Sequence, residues 1–159
     1  DVAFVDPNVP RKFTPYGIQT ICQGSACNIW VTYTALGNAQ SGFISEFTPE
    51  GALLQSFALN GPMHSPWGIA IAPDNFGQFS GALLVSNNIS RGRIDAFDIA
   101  TGQFLGSLRD ENGQVIEIDD LWGIRFGVAG ANGLTNQLFF TAGTNEYGDG
   151  LLGVITVQQ

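Results

Sequence analysis

The phrase Pro66-Trp67-Gly68-Ile69 returns with variation as Pro15-Tyr16-Gly17-Ile18 and as Leu121-Trp122-Gly123-Ile124. The three glycines lie 51 and 55 residues apart. Self-similarity at a period near fifty marks stacked repeat units, each too small to bury its apolar residues without a neighbour. The 159 residues hold three such units.

In the middle unit, Trp67 to Ala72, Ala82 to Ser86, Arg93 to Asp98 and Gln103 to Leu108 read as four short strands. The breaks at Pro73-Asp74-Asn75, Ser90-Arg91-Gly92 and Ala100-Thr101-Gly102 are turn chemistry. The first unit repeats the order with Ile18 to Ile21, Ile29 to Thr34, Phe43 to Phe47 and Leu53 to Ala58. The last unit offers Trp122 to Phe126, Leu138 to Ala142 and Leu152 to Val157, and no fourth strand. The expected fold is all-β: a β-propeller of four-stranded antiparallel blades, about three of them in this chain, half of a six-bladed ring. The expected divisions are an outer strand and linker over 1–14, with Ala3-Phe4-Val5 as the strand, blades over 15–59 and 60–110, and a blade lacking its fourth strand over 111–159. Three blades are too few to close around a channel. Completion is expected from a second copy of the chain or from a complementary chain.

Charge bounds the partners. Six Lys plus Arg against fourteen Asp plus Glu give a net charge of −8, which repels phosphate backbones and anionic membranes, so neither nucleic acid nor membrane is expected. No run approaches the roughly 20 apolar residues of a membrane-spanning helix. The start at Asp1 fits removal of a leader, internal proteolysis or a fragment of a longer precursor.

Cys22 and Cys27 flank Gln-Gly-Ser-Ala between two strand-like runs. A disulfide across a hairpin is the first reading and two unrelated thiols the alternative; oxidised pairs persist mainly outside the cytosol. The expected location is secreted, either extracellular or periplasmic. Asn88-Ile89-Ser90 is an N-glycosylation sequon on a loop, so Asn88 is a candidate acceptor.

Several segments together carry a resemblance: Phe4-Val5-Asp6-Pro7-Asn8-Val9-Pro10, Gly77-Gln78-Phe79-Ser80-Gly81, Gly92-Arg93-Ile94-Asp95-Ala96-Phe97-Asp98, Thr101-Gly102-Gln103-Phe104-Leu105-Gly106 and Phe139-Phe140-Thr141-Ala142-Gly143. They resemble a family of uncharacterised exported six-bladed propeller proteins, distantly similar to NHL-repeat propellers. Members run to about twice this length, so the chain is similar to their C-terminal half. The Cys22 to Cys27 hairpin departs from the family pattern. The resemblance implies a fold and brings no catalytic residues.

In such a fold the loops 36–41, 60–65, 87–91, 109–120 and 143–150 share one face. His64, the single histidine, would need a partner and a poised pKa to act as a base, and is read as structural or solvent-exposed. Asp119 and Asp120, with Glu117, could ligate Ca²⁺ or another divalent cation, although alternation along Val115 to Asp119 explains them equally as a solvated face. Asn145 and Tyr147 could form a sugar-contacting edge. The tryptophans beside the repeated glycines are read as packing between neighbouring sheets. No nucleophile elbow, phosphate loop or dinucleotide fingerprint is present.

The leading functional expectation is a secreted, non-enzymatic propeller that binds a ligand or protein partner through its loop face, with His64, Asn87, Asp119, Asp120, Asn145 and Tyr147 as candidate contacts. The alternatives are a metal-dependent hydrolase of lactonase type with a divalent cation in the central channel, and a lectin-like carbohydrate binder.

Overall fold

The computed structural model describes residues 3–35, 41–59 and 63–157. Of the loops expected at 36–41 and 60–65, residues 36–40 and 60–62 lie outside the described residues. The fold is all-β, with two short 3-10 turns among the described residues. The first sheet is formed by β1 (Phe13–Gln23), β2 (Ala26–Ala35), β3 (Gly42–Phe47) and β4 (Leu53–Leu59). The second contains β5 (Pro66–Ile71), β6 (Leu83–Asn87), β7 (Ile94–Phe97) and β8 (Phe104–Ser107). The third has β9 (Leu121–Phe126), β10 (Gln137–Ala142) and β11 (Leu151–Thr156). Each sheet is an antiparallel meander in chain order. The three sheets stand in a row with β1, β5 and β9 side by side, and they do not close on themselves.

Every strand of the middle and last units overlaps its sequence expectation. In the first unit β1 runs longer than Ile18 to Ile21 because its hairpin is tightened at both ends. At the tip, Gly24-Ser25 makes a two-residue turn with Gly24 at φ +62°, a conformation glycine adopts without strain. Cys22 and Cys27 are paired there and joined by a disulfide. At the base, Pro15 sits at a bulge, where its missing N–H costs no ladder bond.

Residues 3–5 form no strand. Phe4 has φ +61° and donates its N–H to the Gly51 carbonyl at 3.0 Å. The segment turns because Asp6 is drawn into the sheet: its carboxylate accepts from the Ser45 hydroxyl at 2.6 Å and from the Asn8 N–H at 2.8 Å. The Phe4 ring then lies edge-on to Phe47, 5.6 Å away.

Alternation along the strands sends side chains to two faces, and both faces of the middle sheet are buried. Trp30, Ile44 and Phe57 of the first sheet pack on Ile69, Leu83, Val85 and Phe97 of the second. On its other side the second sheet presents Ala70, Leu84, Ile94 and Ala96 to Leu121, Ile124, Leu138 and Phe140 of the third. A third cluster, Phe13, Val31, Tyr33, Ala35 and Phe47 with Val9, lies on the outward face of the first sheet.

A repeated polar joint fixes the spacing between sheets. The Gly17 N–H donates to the Thr32 hydroxyl at 2.9 Å, and that hydroxyl donates to the Trp67 carbonyl in the next sheet at 3.1 Å. The Gly68 N–H likewise donates to the Ser86 hydroxyl at 2.8 Å, and Ser86 donates to the Trp122 carbonyl. Glycine is required because a Cβ at Gly17 would lie 2.1 Å from the Trp67 oxygen, and one at Gly68 would lie 2.8 Å from the Trp122 oxygen.

Candidate functional site

The strand pairs Pro66 with Asn87 and Leu121 with Ala142 put the starts of β5 and β9 at the same end as the loops after β6 and β10. That end gathers most of the polar residues singled out from the sequence, together with the repeated aromatics. The aromatics are not core. Tyr16 and Tyr147 are exposed, and Trp67 and Trp122 are half-buried and lie outside all three apolar clusters. The reason is their place at the strand starts, where the sheets run out and the glycine alone makes the close approach.

Tyr16 crosses between sheets, its ring 4.5 Å from that of Trp67, and its hydroxyl donates to the Asn88 side-chain oxygen at 3.2 Å. The Asn88 amide donates to the Leu121 carbonyl at 3.4 Å in the third sheet. Asn88 is thus engaged at both ends of its amide, including the nitrogen a glycan would use. Tyr147 stacks on Trp122 with centroids 6.1 Å apart and planes 7° from parallel, and its hydroxyl donates to Asp120 at 3.1 Å. That hydrogen bond to the carboxylate holds the phenol above its usual pKa.

The backbone here is unusual. Of the seven non-glycine residues with left-handed φ among the described residues, Ser65, Asp120, Asn145, Glu146 and Tyr147 belong to this end. Left-handed conformations cost roughly 1–2 kcal/mol each, and outliers of this kind concentrate at functional sites. Three in succession turn Tyr147 back over Trp122. Bonds from the Tyr147 N–H to the Gly143 carbonyl (3.2 Å) and from the Gly148 N–H to the Asn145 carbonyl (2.8 Å) hold the turn.

The remaining candidates take other parts. Asn87 is buried, accepting from the His64 N–H at 2.8 Å and donating to Asp95 at 2.7 Å. His64 is half-buried and enters through its backbone. Asn145 is exposed and donates to Asp149 at 3.1 Å. Asp119 is exposed, and Glu117 is paired with Arg91 instead of with the aspartates. Among the described residues no three His, Cys, Asp or Glu side chains converge as a cation site. Asp95, behind Asn87, is fully buried, and its pKa is raised by burial despite hydrogen bonds from Ser107 and Asn87.

Sequence reasoning missed the Thr32, Ser86 and Thr141 hydroxyls and the linking roles of Asn88 and Asp120. For the hydroxyls a signal was present: each follows its repeated glycine by 15 or 18 residues in the second strand of its unit.

No described helix is long and apolar enough to cross a membrane. No family model matches the chain. It is similar to three proteins of Acanthamoeba polyphaga mimivirus. To the uncharacterized protein R648 it is 35% identical, over 97% of this chain and 38% of that protein. To the uncharacterized protein R640 it is 33% identical, over 75% of this chain and 23% of that protein, and to the uncharacterized protein L690 33%, over 81% and 33%. The chain thus spans less than two-fifths of the length of the curated relatives it matches.

Proposed function

We propose that the chain is three blades of a six-bladed exported propeller and that it binds a polyhydroxylated ligand, a saccharide, at the strand-start end without transforming it. The observation that carries this reading is two aromatic pairs at this end, Tyr16 on Trp67 and Tyr147 on Trp122, with Asn88 and Asp120 bonded to the tyrosine hydroxyls. Sugar rings present flat C–H faces to aromatic planes and hydroxyls at their edges to amides and carboxylates, which is the chemistry these pairs offer. The side-by-side first strands and the repeated joint between meander sheets support the propeller reading. The hydrolase alternative asks for several converging oxygen ligands, whereas Glu117 is tied to Arg91 and Asp120 to Tyr147.

A glycan array probed with the wild type and with Trp122→Ala tests the reading. The wild type retains a defined set of glycans, and the variant, unchanged in circular dichroism, binds them about tenfold more weakly, in line with the worth of an aromatic contact. A blank array overturns the saccharide reading. Ca²⁺-dependent lactone or ester turnover that Asp119→Ala or Asp120→Ala abolishes would replace it with the hydrolase.

A further inference from the structure

The two aromatic pairs of the strand-start end are neighbours. Tyr16 and Trp67 come from the first and second sheets, Trp122 and Tyr147 from the third sheet and its loop. Their main chains touch: a Cβ built on Gly68, the residue after Trp67, would stand 2.8 Å from the Trp122 oxygen. Asn88 ties one pair to the other. Its side-chain oxygen accepts from the Tyr16 hydroxyl at 3.2 Å, and its amide donates at 3.4 Å to the carbonyl of Leu121, the residue before Trp122. Among the described residues each end of that amide makes one of the two bonds it can make, which leaves one N–H and one lone pair. Each pair also offers a ring to solvent, Tyr16 being 40% and Tyr147 63% exposed.

A single pyranose is about the size of one aromatic ring, so it stacks on one pair and leaves the other bare. Linked pyranoses set successive rings on successive pairs, and the second ring binds without a second loss of translational freedom. Charge narrows the class. Asp120 is bonded to Tyr147, Glu146 and Asp149 stand exposed in the turn that carries Tyr147, and Arg91 and Arg93 both face Glu117. A carboxylate or sulfate on the ligand would meet like charge at the second pair.

We infer that the saccharide site takes a linear, uncharged oligosaccharide, one sugar ring lying against Tyr16 and Trp67 and a neighbouring ring of the same chain against Trp122 and Tyr147. This rests on the saccharide reading above. Asn88 is the polar group common to both positions, with its remaining N–H and lone pair available to sugar hydroxyls.

Titration calorimetry with fragments of chitin, cellulose, amylose and mannan, from one to six sugar units, tests the inference, with polygalacturonate fragments of the same lengths as the charged series. At least one uncharged series binds. Its affinity rises on the order of a hundredfold from the single sugar to the length that covers both pairs, then levels off. Polygalacturonate binds at least about tenfold more weakly at equal length. Tyr16→Ala and Tyr147→Ala, one in each pair, both return the longer fragments to the affinity of the single sugar. The two side chains are exposed, and circular dichroism checks that the variants fold. A single sugar that binds as tightly as any fragment, a rise that survives both substitutions, or polygalacturonate that matches the uncharged fragments overturns the inference and leaves the saccharide reading standing. So does a glycan array that retains glycans while none of the four uncharged series binds. A blank array removes both, so the two readings fail distinguishably.

Discussion

A methyl group on Gly68 has no room: it would lie 2.7 Å from the Ile124 nitrogen and 2.8 Å from the Trp122 oxygen, both backbone atoms. At Gly123 the same methyl meets only the Thr141 hydroxyl at 3.5 Å. Gly68→Ala is therefore expected to cost roughly 1–3 kcal/mol by overpacking, and Gly123→Ala less than about 0.5 kcal/mol, in urea titrations. Equal costs would refute the view that only the first two joints are closed. The buried carboxylates differ in sign. Burial acts to raise the Asp6 pKa, but hydrogen bonds from Ser45, Ser56 and Asn8 outweigh it and hold the group below the usual carboxylate range. Its contribution is present above the ordinary value near 4 and is lost as pH falls through the folded value. Asp6→Asn should cost about 1–3 kcal/mol at pH 7, and the gap should close on acidification. Asp95, raised by burial, contributes in the opposite sense, so the wild type should gain on Asp95→Asn as the pH drops toward 4. Denaturation series across this range read both slopes.

The strands were legible because their boundaries are chemical: Pro73-Asp74-Asn75 and Ala100-Thr101-Gly102 stop a chain whatever surrounds it. What a single unit could not reveal is what its strands face. Thr32 and Ser86 look like ordinary strand residues until the next sheet brings up a carbonyl. Ala3-Phe4-Val5 has strand composition, yet the pull on Asp6 from Ser45 bends it into a turn. The aromatic pairs are half legible, since Tyr147 and the tryptophans each stand out in the sequence, but a stack between residues 25 apart in the chain depends on three left-handed residues that composition does not announce. Burial also grades the elements. The strands β6 and β7 are buried throughout, while β11 shows exposed and half-buried residues only. Hydrogen exchange should follow that order, with β6 and β7 amides slowest and β11 fastest; protection in β11 equal to that in β6 would contradict it.

Across the whole molecule, one contact rule is applied between the first and second sheets and again between the second and third. In both places it joins a hydroxyl to a main-chain carbonyl beside a glycine. The rule therefore fixes two residue types and leaves the third position of the motif unread, because the aromatic residue lends the joint its carbonyl and not its ring. Trp67 and Trp122 serve that joint through their carbonyls alone. Their side chains stand where the sheets end, Trp67 against the Tyr16 ring of the neighbouring sheet and Trp122 against Tyr147, and each repeat brings one such ring to that rim. A scaffold of this kind can acquire new specificity by substitution at a handful of rim positions while its glycines and hydroxyls stay put.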